Sequence, residues 1–199
     1  RKREIQKRAA NKYVSDTMLT LVILFAILLS FYSGYRRGLA YQLVFVVGYA
    51  LSFVVAMMFY QRLGSHLDLF VPYPSVTSNS KMVYYSIEQA FNLDKAFYAG
   101  IAFILILVIG WLLTHLIAIF FKDLLFRVMI PQYDGLIAGI LQVFIVYLAI
   151  FLLLKVVSFV PMALVQDLLE KSGLARFIIE HSLFLSPMFE NLWVTKIIG

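Results

Sequence analysis

Cysteine is absent from the 199 residues, so disulfides, thiolate metal sites and cysteine nucleophiles are excluded at once. Charge is scarce as well, at 14% of residues against the quarter or so usual in a soluble domain. Only three histidines are present, and His66, His115 and His181 are far apart with no H-E-x-x-H pair, which excludes the common zinc spacing. No P-loop, no dinucleotide fingerprint and no serine in a G-x-S-x-G turn can be found, so no catalytic constellation or cofactor site is expected.

What is abundant is hydrocarbon. Hydrophobic residues make up 62% of the chain and mean hydropathy is +0.89. They fall into long blocks separated by short polar stretches, the pattern of helices that cross a bilayer. The expected fold class is therefore an all-α integral membrane protein with four transmembrane helices and added interfacial amphipathic helices. The formal charge of +6 is concentrated, because six basic residues lie within Arg1 to Lys12 beside an apolar segment. Contact with anionic lipid headgroups explains that cluster better than nucleic acid does.

Four spans are expected at about 17–32, 39–60, 97–121 and 135–160. The first is short, and Met18 to Leu29 within it carries no charge and one hydroxyl, Thr20. A basic stretch before a short apolar run is also how a secretory leader begins, but Gly34-Tyr35-Arg36-Arg37-Gly38 follows in place of a small-residue cleavage site. The second span, Leu39 to Tyr60, would be about 33 Å long as a helix, against a hydrocarbon core of roughly 30 Å. Residues 1–17 read as a basic extension, 18–160 as the four-helix region with a polar loop at 61–96, and 161–199 as an interfacial amphipathic region.

Within the loop, Lys81 to Phe91 is expected to form a short surface helix, with Met82, Tyr85, Ala90 and Phe91 on its apolar side. Past Pro161, Leu164, Leu168 and Leu169 alternate with Gln166, Asp167, Glu170 and Lys171, which predicts an amphipathic helix with Gly173 splitting it. Ser186-Pro187 opens a last short segment, where Trp193 suits the membrane interface.

Few polar residues fall inside the apolar runs, and each is a candidate. Lys155 lies close enough to the end of the fourth span for its stem to carry the ammonium to the interface. His115 and Gln142 come out at the same depth when the third and fourth spans run antiparallel. That predicts a hydrogen bond across the two helices, serving either as structural glue or as a proton or substrate site. Gly135 and Gly139 form a small-xxx-small pair that lets a neighbouring helix come close. Asp134 is placed to cap the free amides of the fourth span. Arg36 and Arg37, flanked by Gly34 and Gly38 in a tight reversal, either set topology, bind lipid phosphate, or pair with Asp134.

The Gly34-Tyr35-Arg36-Arg37-Gly38-Leu39 turn, Asp134-Gly135-Leu136-Ile137-Ala138-Gly139 at the last span and Ser186-Pro187 near the end together resemble the CvpA family, the colicin V production proteins. The resemblance runs from Met18 to Lys196. It implies a bacterial inner-membrane protein of four spans, required for producing or exporting a peptide toxin and linked to envelope homeostasis. Some relatives look like membrane anchors of an extracytoplasmic serine protease, a domain with no counterpart here. Many relatives carry a basic residue where this chain has Gly135, and most begin close to the first span, so Arg1 to Thr17 looks added.

Orientation follows from the short connections. Arg36, Arg37, Lys122 and Arg127 share one face, which the positive-inside rule places in the cytoplasm. The six basic residues of the first twelve sit on the opposite face and argue for the reverse. The function expected is a non-enzymatic membrane protein that acts through lipid or protein contacts, including anionic headgroups and a homo-oligomer or membrane partner. The rival is an oligomeric transporter or channel component, with His115, Gln142 and Arg36 lining a path between protomers.

Overall fold

The computed structural model describes the backbone of residues 2–77 and 80–198, and the side chains of 18–77 and 80–197. The described residues contain helices and connections and no strand. In chain order the helices are α1 (Lys2–Arg37), α2 (Leu39–Leu67), α3 (Ile87–Ala90), α4 (Leu93–Ala118), α5 (Asp134–Ser158), α6 (Ala163–Lys171), α7 (Gly173–His181), α8 (Leu185–Phe189) and α9 (Lys196–Ile198). A 3-10 tail, Ile119–Phe126, continues α4 past a kink at Phe121, and a π turn, Glu190–Thr195, joins α8 to α9.

Among the described residues, four helices are long and apolar enough to cross a membrane: Met18–Arg37, Leu39–Leu67, Leu93–Phe126 and Asp134–Ser158. No more than 22% of the most apolar window of any of them is buried. Phe25, Leu28, Met58 and Phe144 are each more than 60% exposed. In water such a continuous apolar surface would be untenable, so hydrocarbon is the solvent that these side chains match.

The chain forms two compact units. The first combines the chain up to Phe25 with Pro72–Phe97 and Leu154–Gly199. Its core is aromatic. Trp193, fully buried, packs against Phe189 at 4.8 Å and Phe159 at 6.2 Å between ring centroids, and Tyr85 meets Phe159 at 5.5 Å. Trp193, expected at the membrane interface, is thus a core anchor of this unit.

Three further expectations fail here for local reasons. Only Ile87–Ala90 of the Lys81–Phe91 stretch is helical, because Ser86 and Gln89 form a reciprocal capping box that starts the helix there. The break between α6 and α7 falls at Ser172, whose hydroxyl accepts the Ala175 amide at 3.2 Å as a helix cap, one residue before Gly173. That hydroxyl also meets Thr20, the single hydroxyl of the first apolar run, at 3.0 Å. Gln166 does not face water. It is fully buried and pins α6, accepting the Val83 amide and donating to the carbonyls of Ser158 and Val160.

The second unit comprises Ala26–Val71 and Tyr98–Leu153 and contains parts of all four long helices. Small residues bring their backbones together. A Cβ on Gly34 would lie 2.5 Å from the Ala138 carbonyl oxygen, and one on Gly139 would lie 2.8 Å from the Phe31 ring. Gly135 meets the Tyr35 ring at 3.0 Å in the same sense. The expected small-xxx-small pair of α5 therefore packs on the last turns of α1. α2 and α4 interlock likewise, with Gly48 against Thr114 and Gly110 against Ser52.

Candidate functional site

The reversal between α1 and α2 is a single residue. Gly38 has φ +73°, a conformation that costs any residue with a Cβ, and no other described residue has positive φ. Gly34, expected to share in the turn, is instead buried inside α1, and Arg36 and Arg37 form its last turn. Having no side chain, Gly38 gives α2 no cap of its own. The missing acceptor arrives from α5: Asp134 Oδ2 accepts the Leu39 amide at 2.8 Å. A Cβ on Gly38 would lie 2.7 Å from that same oxygen, so glycine is needed twice, for backbone angle and for room.

The other carboxylate oxygen, Oδ1, accepts the amides of Met129 at 2.8 Å and Ile130 at 3.4 Å. Asp134 thus caps the neighbouring helix and the turn before its own, where the sequence suggested it would cap α5. An ion pair with Arg36 or Arg37 does not form, because both oxygens are taken by backbone amides and no described salt bridge joins them. Arg36 is exposed, with its guanidinium 5.9 Å from the Tyr32 ring centroid.

Arg37 turns the other way. Its guanidinium carbon lies 4.4 Å from the Phe45 ring centroid, a cation–π contact two turns along α2. Its Nη1 is buried without a hydrogen-bond partner. Close by in the chain, Gln42 is fully buried and donates from Nε2 to Gln142 Oε1 at 2.7 Å. The expected His115–Gln142 bond is therefore replaced: Gln142 is bonded to Gln42, and His115 Nδ1 lies 2.9 Å from the Trp111 carbonyl oxygen of its own helix. His115 also sits 5.0 Å from the Phe45 ring. Matching depth alone does not bring two side chains onto facing sides of their helices.

A second cluster occupies the other unit. Lys155 is 4% exposed; its Nζ lies 2.5 Å from Glu190 Oε2 and 5.4 Å from the Tyr85 ring centroid. Tyr85 donates to the same Glu190 oxygen at 3.3 Å. Burial drives the Tyr85 phenol far above its usual value, and the Glu190 charge adds to the rise. Tyr84 is pushed up to about 12, chiefly by burial. These groups, with Glu180 and Ser186-Pro187, border a cavity of about 460 Å³. At the surface, Lys81 bridges Asp167 at 2.6 Å and Glu170 at 2.5 Å.

Gln42 was readable in principle, being the one amide in the apolar run from Leu39 to Tyr60. Gln166 was readable less directly, since it stands three residues before buried Leu169 and so shares its face.

No solved structure matches the chain. It is 30% identical over 176 residues to YshB, an uncharacterised transmembrane protein of Bacillus subtilis (strain 168), covering 88% of this chain and 97% of that one. The Colicin V production protein family matches residues 19–183, a stretch that takes in the Gly38 reversal, the Asp134 cap and all four long apolar segments. The chain is a membrane protein belonging to the Colicin V production protein family.

Proposed function

We propose that this protein works without enzymatic chemistry in the bacterial cytoplasmic (inner) membrane. There it supports production or export of a peptide toxin of the colicin V type, or upkeep of the envelope, by holding lipid or a membrane protein against its surface. The family's description supports the first half of this reading. The second half is carried by one observation. Between α7 and α8, outside the spans, Leu183 and Phe184 are 88% and 84% exposed. Large apolar side chains in a polar segment need cover from the bilayer interface or from a partner. The face bearing Arg36, Lys122 and Arg127 lies in the cytoplasm, where Arg36 meets anionic headgroups.

The test is complementation of a deletion strain, scored for toxin export and envelope integrity. Leu183→Ser with Phe184→Ser should abolish complementation while leaving the amount of membrane-inserted protein unchanged. Full complementation by that variant would overturn the reading.

A second reading, an oligomeric transporter or channel component, draws support from Gln142, which borders a cleft of about 230 Å³ in the second unit. Reconstituted liposomes separate the two: flux lost on changing Gln142 or His115 favours transport.

A further inference from the structure

Among the described residues, Lys155 is the only charged side chain that is buried. Its ammonium carries three N–H donors, and Glu190 Oε2 is the only acceptor described for them. Tyr85 donates to that same oxygen, so Glu190 Oε1 is left with no described donor. Both residues border the cavity of about 460 Å³, a size usual for a small-ligand site. A buried ion pair with donors and an acceptor to spare is costly, and a ligand carrying both an acceptor and a donor would complete it.

Two contacts set the depth of this cavity. Lys155 lies three residues before the end of α5, the fourth span. Ser172, between α6 and α7, meets Thr20, two residues past the start of the first span. With four crossings the first span starts on the face where the fourth one ends, so both contacts belong to the headgroup level of that face. The carboxylates come from helical segments that follow the spans: Glu180 of α7, whose Oε1 accepts from Arg176, and Glu190 have side chains 35% and 41% exposed. Positive charge thus sits on the membrane helix, and negative charge on the segments outside it.

We propose that this cavity binds the phosphoethanolamine headgroup of a membrane lipid, its phosphate accepting from Lys155 and its ammonium donating to Glu190 Oε1 and Glu180. Such a headgroup carries its phosphate next to the acyl chains and its ammonium outermost, the same order as the charges that meet it. It brings one charge of each sign, so the balance of the Lys155–Glu190 pair is kept. A choline headgroup has no N–H to donate, and a glycerol headgroup sets a bare negative charge against two carboxylates. The proposal names the lipid for the lipid-holding role above and rests on that role. Capture is read on purified protein, whereas that role is scored by complementation at Leu183 and Phe184, so the two failures are distinguishable.

The test is native mass spectrometry of the full chain in mild detergent, with phosphatidylethanolamine, phosphatidylcholine and phosphatidylglycerol added in equal amounts. One phosphatidylethanolamine per chain should be retained, about ten-fold in preference to either competitor, the worth of one charge-assisted hydrogen bond. Retention should fall stepwise through the N-methyl and N,N-dimethyl lipids as donors are lost. Soluble glycerophosphoethanolamine at the same concentration should not displace the lipid. Lys155→Met with Glu190→Gln, which leaves no unpaired charge, should abolish the preference. Val83→Trp, which narrows the cavity and keeps both charges, should do the same, while Lys81→Met, outside the cavity, leaves it intact. Equal retention of the three lipids by the parent chain, a flat response along the methylated series, displacement by the soluble headgroup, or a preference that survives in either cavity variant that folds, would overturn the proposal.

Discussion

The carboxylate of Asp134 lies 2.8 Å from the backbone amide of Leu39, 95 residues away in the chain. The first residue of α5 therefore completes the first turn of α2, and Gly38 makes room for it. Two short sequence features, one just before α2 and one opening α5, are the halves of a single contact.

Asp134→Asn should be nearly as harmful as Asp134→Ala. The carboxylate serves donors with both oxygens, and an asparagine must turn its NH2 toward one set of them. Hydrogen bonds to a charged acceptor contribute about 1.5–3 kcal/mol, so each variant should lose about 2 kcal/mol. Unfolding in mild detergent, followed by circular dichroism, measures it; an asparagine variant as stable as the parent would contradict the two-sided cap.

Gly38→Ala carries both a φ penalty and a collision with Asp134 Oδ2. The alanine should cost about 1–2 kcal/mol from the backbone angle, with more from the contact. In a double-mutant cycle with Asp134→Ala the two losses should sum to more than the double variant shows, since removing the carboxylate relieves the collision. Strict additivity would mean that the residues do not touch.

At the α1–α5 contact, Gly139→Leu should disrupt packing, because even its Cβ would meet the Phe31 ring at 2.8 Å. Phe31→Ala should recover part of that loss. The Phe31 carbonyl, 3.1 Å from the same point, limits the recovery. Thermal aggregation in detergent resolves the order expected: parent, then the double variant, then Gly139→Leu.

For the buried pair, Glu190→Gln leaves the Lys155 ammonium unpaired and should cost about 2 kcal/mol. That is below the 3–5 kcal/mol for a fully buried pair, because the Glu190 side chain is 41% exposed. Lys155→Met should cost less, and the double variant should approach the parent. A double variant less stable than either single one would show that the ion pair is not the main interaction there.

The Lys81 bridge has a pH window. Its bonds to Asp167 and Glu170 raise Lys81 above its ordinary value of 10.5, and the Lys81 bond lowers Asp167 below 3.8. The Asp167 contribution is present above the ordinary carboxylate value and is lost as pH falls through the depressed one. The Lys81 contribution is full below the ordinary lysine value and is lost as pH rises through the raised one. Spin labels at Met82→Cys and Leu168→Cys should therefore hold a fixed distance from roughly pH 5 to 10. The distance should broaden in acid, and Lys81→Met should remove that dependence.

Hydropathy reveals all four long helices, because a span must be apolar over most of its length whatever it packs against. The helices themselves run on past the apolar stretches. α2 runs on to Leu67 through Gln61, Arg62 and His66, since a helix leaving the bilayer keeps its hydrogen bonds among polar side chains. Asp134 and Gly38 stand out from the sequence by type, but their pairing is a tertiary contact that no local pattern encodes. Depth singles out Gln142 but does not choose its partner, which is Gln42 and not His115. The inward turn of Arg37 depends on Phe45 lying under it, which charge counting has no means of seeing.

The four crossings are tested most directly by labelling. With no native cysteine, single substitutions Arg36→Cys, Arg127→Cys, Ser75→Cys and Leu183→Cys each supply one thiol, all at exposed positions. In sealed vesicles treated with an impermeant maleimide, positions 36 and 127 should react from one side and 75 and 183 from the other. If 36 and 127 react from opposite sides, or 75 and 183 do, the chain does not cross the bilayer four times.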